Sequence, residues 1–187
     1  MKRVYLIRHG PPDFPQGARM CLGTTDIPLG SEGLAKAEKM AAALPPVTAV
    51  FSSPLTRAMQ TAQAICPEII VLEGLRELDY GEWDGLTFPE IRQRYPQLYA
   101  ARSADLTIQP PGAESNRAAL ARFSAAMAEA AQRSPGDFAV VAHGGIMALF
   151  LQAVTGRWYK AQYCEVIPFF WNHQGFFQQE ESPCVKC

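Results

Sequence analysis

Residues 3 to 10 read Arg3-Val4-Tyr5-Leu6-Ile7-Arg8-His9-Gly10, and their order sets the kind of fold to expect. Four consecutive β-prone residues, Val4 to Ile7, show no alternation between apolar and charged side chains. A strand of that kind is covered on both faces, as in a parallel sheet held between helices. It runs directly into a guanidinium, an imidazole and a glycine. A buried strand that stops at two such side chains places chemistry at its end.

Similar short runs recur at Ala49–Ser52, at residues 69–72 and at Phe138–Ala142, with a fifth near 166–171 and a weaker sixth near 176–179. Helical patterns lie between them. Ser31-Glu32 opens one with Leu34, Ala37, Met40, Ala41 and Leu44 at helical spacing, stopped by Pro45-Pro46. Ser53-Pro54 reads as N-cap and first residue of a helix over 55–65. Phe88-Pro89 starts a helix toward Tyr99 that Pro96 kinks or splits. A long helix is expected over 114–133, and a nearly all-apolar one over 145–154 ends at Gly156. Strands alternating with helices predict an α/β domain with a mainly parallel, about six-stranded sheet between helical layers. Ligands of such sheets bind beyond the carboxyl ends of the strands.

The 187 residues, 48% hydrophobic, suit one domain over 1–187, with a small insert at about 86–112 and a short tail at about 180–187. Seventeen basic and eighteen acidic residues leave a net charge of −1. Neither nucleic acid nor a membrane surface is therefore an expected partner, and any basic site must be local. The apolar runs at 4–7 and 145–154 are too short to span a bilayer. Five cysteines, an odd number without a regular framework, point to reduced thiols and a cytoplasmic setting. Cys184-Val185-Lys186-Cys187 has half the spacing of a zinc site, lacks a second pair and reads as plain tail. His173, with no partner motif, reads as structural or exposed.

The strand ends share one chemistry. The first leads into Arg8-His9-Gly10. The second gives Ser52-Ser53-Pro54 and a helix carrying Arg57. The third region runs through Arg76-Glu77-Leu78-Asp79, and the fourth ends in His143-Gly144-Gly145. Guanidinium groups present paired donors that match phosphate oxygens. A helix starting at Gly144-Gly145 offers backbone N–H groups to the same anion, and glycine after each histidine allows close approach or a positive φ. Imidazole, substantially neutral near pH 7, can be a nucleophile. Arg8 would hold phosphoryl oxygens while His9 attacks phosphorus.

Taken together, Arg8-His9-Gly10, Ser52-Ser53-Pro54-Leu55 with Arg57 and Ala58, Leu75-Arg76-Glu77 with Gly81-Glu82-Trp83-Asp84-Gly85, and Val141-Ala142-His143-Gly144-Gly145 resemble the histidine phosphatase superfamily in its phosphoglycerate-mutase-like branch. The compact length and the Gly81–Gly85 block look most like α-ribazole phosphatases and related broad-specificity phosphatases. The resemblance implies a three-layer α/β/α sandwich and a covalent phosphohistidine, with no metal or other cofactor. It places the nucleophile at His9, the phosphate pocket at Arg8, Arg57, His143 and Gly144, and the proton donor at Glu77. Thr24 falls in a loop over the site and is expected to touch substrate. By residue type alone the donor stays open among Glu73, Glu77, Asp79, Glu82 and Asp84.

The function so implied is hydrolysis of small phosphomonoesters, α-ribazole 5′-phosphate among the candidates. A mutase that returns the phosphoryl group to substrate is the enzymatic alternative. A non-catalytic phosphate-binding module would need neither nucleophile nor acid. A metal hydrolase lacks His-x-His or His-x-x-x-His spacing, and two arginines would repel its cation. Within 86–112 the charges of Arg92, Arg94 and Arg102 nearly balance Glu90 and Asp105. That predicts an open site facing a leaving group of low acidity. Trp83 could line the substrate or pack; Tyr95 is expected to pack.

Overall fold

Strand β1 (Lys2–Arg8) lies inside a six-stranded sheet of order β3-β2-β4-β1-β5-β6. The other strands are β2 (Ala49–Ser52), β3 (Ile70–Val71), β4 (Phe138–Ala142), β5 (Val166–Asn172) and β6 (Gly175–Phe177). The computed structural model describes residues 1–172 and 175–177. β3, β2, β4 and β1 run parallel, whereas β5 pairs antiparallel with β1 and with β6. The expected continuation of β6 to 179, His173 and the Cys184–Cys187 tail lie outside the described residues.

Period-two alternation sends the side chains of each central strand to two cores. Val4, Leu6, Phe138, Val140 and Ala142 face one side, against α5 (Asn116–Arg133) and α6 (Gly144–Thr155). Tyr5, Ile7, Val50, Ala139 and Val141 face the other, against α1 (Ser31–Ala43) and α2 (Thr56–Gln63). The result is the three-layer sandwich. On the first side, Phe51 and Phe138 meet edge to face with ring centroids 5.8 Å apart, both fully buried. Truncating either to alanine would cost about 3–5 kcal/mol.

A third cluster joins Cys21, Trp83 and Ile91, with Tyr95 and Tyr99 packed against it. It lies under α3 (Phe88–Arg94) and α4 (Pro96–Ala104), which break at Tyr95, where Pro96 removes the N–H that would continue the helix. α3 opens on a capping box between Thr87 and Glu90.

Two expected helix starts are displaced. α5 begins at Asn116 with Ser115 as N-cap, its hydroxyl accepting from the Ala118 N–H at 3.2 Å. α2 begins at Thr56 rather than Leu55. Its cap is Asp26, thirty residues upstream, whose carboxylate accepts from the Thr56 N–H at 2.9 Å and hydroxyl at 2.6 Å. Ser53 is thereby released from capping.

Among the described residues no helix is long and apolar enough to cross a membrane. The helix after β1 packs on one face of the sheet and the helix after its neighbour β4 on the other. A crevice opens where two adjacent parallel strands part company in this way.

Candidate active site

Strand pairing sets out the site. Arg8 on β1 stands level with Ala142 on β4, so His9 and His143 leave the sheet side by side, ring centroids 5.0 Å apart. The His9 N–H extends the ladder to the Ala142 carbonyl at 3.0 Å, and the Ser53 N–H reaches that of Val141 at 3.0 Å. Three strands deliver their next residues to one place.

His9 is 5% exposed and lines a cavity of about 340 Å³. Its Nδ1 lies 2.6 Å from the Gly10 carbonyl oxygen. A carbonyl only accepts, so Nδ1 carries the hydrogen and Nε2 keeps its lone pair. Burial holds the imidazole well below its ordinary pKa, with Arg57 and Arg8 acting in the same direction against the Gly10 carbonyl. The ring is a neutral base at physiological pH.

His143 is fully buried, with Nε2 2.7 Å from Ser53 Oγ. That hydroxyl also accepts the Leu55 N–H at 3.3 Å; among the described residues Nε2 is the acceptor within reach of its own hydrogen, which puts the imidazole hydrogen on Nδ1. Burial, then His9, Arg57 and Arg8, push the His143 pKa well down. It is thus a neutral donor.

Arg57 is fully buried and no helix-surface residue. Nη1 donates to the Thr25 carbonyl at 2.8 Å and Nη2 to that of Gly23 at 2.9 Å. Arg8 stacks 4.0 Å from the Tyr163 ring centre and donates from Nη1 to the Ala161 carbonyl at 2.7 Å. Among the described residues four buried side-chain nitrogens lack a protein partner, and three of them are Arg8 Nε, Arg57 Nε and His143 Nδ1. An unsatisfied buried donor costs on the order of 1–3 kcal/mol. Three around one imidazole suit a group rich in acceptors and negative charge.

Of the five candidate carboxylates only Glu77 lines the cavity. Asp79 accepts from the Gly81 N–H, Glu82 from the Tyr95 hydroxyl at 2.7 Å, and Asp84 from the 23–25 loop, while Glu73 is exposed. Glu77 Oε1 accepts from Leu78 and Ile146 N–H groups, and Oε2 from Gly145 N–H at 2.8 Å. The expectation that both glycines present N–H groups to an anion is therefore corrected. The Gly145 donor already holds Glu77, and Gly144 alone keeps its N–H for a ligand. Nor do Gly10, Gly144 or Gly145 adopt a positive φ. Their need is space: a Cβ on Gly144 would lie 2.9 Å from Arg8 Nε, and one on Gly145 would overlap the Tyr80 hydroxyl.

Thr24 does not line the cavity. Its N–H and hydroxyl both donate to Asp84 Oδ2, at 2.6 and 2.5 Å, joined there by the Thr25 N–H, while the Gly23 N–H donates to Oδ1. In the structure Thr24 fastens the loop whose carbonyls orient Arg57. These donors hold the Asp84 pKa below its usual value despite partial burial. Sequence reading passed over Asp84's role, and also Ser53, Tyr163 and Arg122. Arg122 on α5 donates to the carbonyls of Gly74, Arg76 and Glu77 at 2.7–2.9 Å and pairs with Glu114, fixing the backbone under Glu77. A lone arginine in an alanine-rich helix carries no signal of that. Trp83 both packs against Tyr95 and lines the cavity. Cys21 lines it too, but burial pushes its thiol up to about 12, so it is no thiolate near pH 7.

Residues 4–168 match the model of the histidine phosphatase superfamily, branch 1. A metal-independent phosphoserine phosphatase of Arabidopsis thaliana is 34% identical over 165 residues, covering 81% of this chain and 68% of that protein. A mycobacterial glucosyl-3-phosphoglycerate phosphatase solved with VO3 has a TM-score of 0.81 at 28% identity, covering 91% of this chain and 93% of the other. An Escherichia coli protein described as a putative α-ribazole-5′-P phosphatase also reaches 0.81, covering 95% and 94%, but at 21% identity the likeness is one of fold. The chain spans 41% of the length of longer Mycobacterium relatives that it matches at 32% identity. A match running from β1 into β5, with relatives named as phosphatases at 28–34% identity, makes this chain a member of the histidine phosphatase superfamily.

Proposed function

We propose that the protein hydrolyses small phosphomonoesters through a phosphohistidine on His9, without a metal. The supporting observation is the Nδ1 contact to the Gly10 carbonyl, which leaves a neutral Nε2 lone pair beside a cavity that Arg8 and Glu77 also line. Nε2 attacks phosphorus in line, the P–O bond to the alcohol breaks, and the departing oxygen takes a proton from Glu77. Oε2, with one N–H partner against two on Oε1, is the oxygen for that proton. Arg8, Arg57, the His143 Nδ1–H and the Gly144 N–H stabilise the equatorial oxygens. Water then gives its proton to the Glu77 carboxylate and attacks phosphorus, the N–P bond breaks, and phosphate leaves with His9 neutral. The fixed guanidinium charges supply what a metal would otherwise contribute.

The test is rapid acid-free quench of the enzyme with 32P-labelled substrate in the presence of EDTA. Base-stable, acid-labile label on His9 is expected, and neither label nor turnover in His9→Ala. Full activity in that variant, or activity lost to EDTA and restored by a divalent metal, would overturn the mechanism.

A further inference from the structure

Charge and apolar surface gather at the mouth of the cavity from the 86–112 segment and from loops outside it. Seven large apolar side chains stay exposed among the described residues, and three of them, Phe88, Leu106 and Trp158, line this cavity. They come from α3, the segment after α4 and the segment after α6, and are 38%, 49% and 46% exposed. Scattered exposed apolar residues need no explanation, but convergence on one opening marks a surface meant to be covered. Arg19, from a further loop, and Lys160, from the same segment as Trp158, line the same cavity, both exposed. Neither has an ion-pair or hydrogen-bond partner among the described residues. Among the described residues the only carboxylate lining the cavity is Glu77, whose oxygens are held by backbone N–H groups. The mouth is therefore basic although the whole chain carries −1. The charge balance within 86–112 leaves out Arg19 and Lys160, which lie outside that segment and line the cavity together with Arg102.

We propose, resting on the phosphatase reading above, that the preferred leaving group combines a ring-sized apolar body with a second anionic group. The phosphoryl end sits at His9, the apolar body is covered by Phe88, Leu106 and Trp158, and the far anion meets Arg19 and Lys160. The cavity, about 340 Å³, falls within the range of sites that enclose small organic molecules, roughly 300–1,000 Å³. An anion without the apolar body would leave the three rim side chains in water, and a body without the anion would leave two cations unmatched.

Three monoesters separate these contributions: phenyl phosphate, 4-carboxyphenyl phosphate and 3-phosphoglycerate. kcat/KM should be highest for 4-carboxyphenyl phosphate, exceeding phenyl phosphate by about five-fold or more, the size that two solvent-screened ion pairs allow. The double variant Arg19→Ala/Lys160→Ala should bring that ratio close to one, and Trp158→Ala should shrink the advantage of 4-carboxyphenyl phosphate over 3-phosphoglycerate. Equal values for the two aryl esters, a ratio that survives loss of both cations, or 3-phosphoglycerate as the best substrate would each overturn the proposal. The affinities of the same three esters for His9→Ala, measured by calorimetry, read the cavity apart from the chemistry. If no ester is hydrolysed but the affinities keep the expected order, the phosphatase reading falls and the ligand class stands. Hydrolysis of all three with no preference in rate or affinity sinks the ligand class alone.

Discussion

At the scale of the residue, both histidines of the site are held neutral by burial, and that has two measurable consequences. Glu77→Gln keeps the shape of the side chain and removes its transferable proton. Turnover of alkyl phosphates should fall roughly a hundred-fold or more, with a smaller loss for p-nitrophenyl phosphate, whose leaving group hardly needs protonation. The same signature in Asp79→Asn or Glu82→Gln would move the acid elsewhere. The second consequence concerns stability. His9 and His143 have folded pKa values below their ordinary value, so the unfolded chain binds protons that the folded one refuses. Their contribution is complete above pH 6.5 and is lost as the pH falls from there toward the folded values. Denaturant midpoints should drop on acidification from pH 7 to 5, with a slope of up to about 2.7 kcal/mol per pH unit for the pair. His143→Gln should lower that slope; a midpoint independent of pH over the range would contradict the assignment.

At the scale of the element, the short loop at 23–26 does the work of a clamp. Its carbonyls at 23 and 25 hold the two Nη atoms of Arg57, its N–H groups are gathered by Asp84, and Asp26 caps α2 at Thr56. One carboxylate thus transmits order to the buried guanidinium through a loop that does not itself line the cavity. Asp84→Asn loses the charge that draws in four donors. kcat/KM should fall about ten-fold, with competitive inhibition by inorganic phosphate weakened in parallel, because Arg57 is the group displaced. An unchanged phosphate inhibition constant beside a lowered kcat would show that Asp84 acts by another route.

At the scale of the whole molecule, the choice between water and a second substrate as phosphoryl acceptor depends on how well the mouth excludes solvent. A mutase holds its dephosphorylated intermediate over phosphohistidine behind a closed lid. Here the rim side chains are 38–49% exposed and the insert consists of two short helices, which favours hydrolysis. Given 3-phosphoglycerate with 2,3-bisphosphoglycerate as primer, the enzyme should release inorganic phosphate from some monoester faster than it forms 2-phosphoglycerate. Isomerisation that outpaces phosphate release would reverse the assignment.

Local order along the chain determined most of the elements and pointed to the side chains that the structure gathers at the strand ends. The short β-prone runs Val4–Ile7 and Phe138–Ala142 read as strands covered on both faces, and Arg8-His9 and His143-Gly144 stand at their ends, where the core stops. Tertiary structure decided every matter of distance. The level pairing of Arg8 with Ala142 brings the two imidazoles to 5.0 Å. The first turn of α6 holds Glu77 at the cavity, the one of five carboxylates, alike in one dimension, that lines it. Ser53 meets His143 across ninety residues, while Asp26 caps α2 from thirty residues upstream. Arg122, Asp84, Arg19 and Lys160 have no local signature, since a charge whose partner lies tens of residues away looks like any solvated surface charge until the chain folds. Periodicity and turn chemistry act over a few residues and are written in the sequence; hydrogen bonds and fields act over a few ångströms and exist only once the sheet has brought its strand ends together.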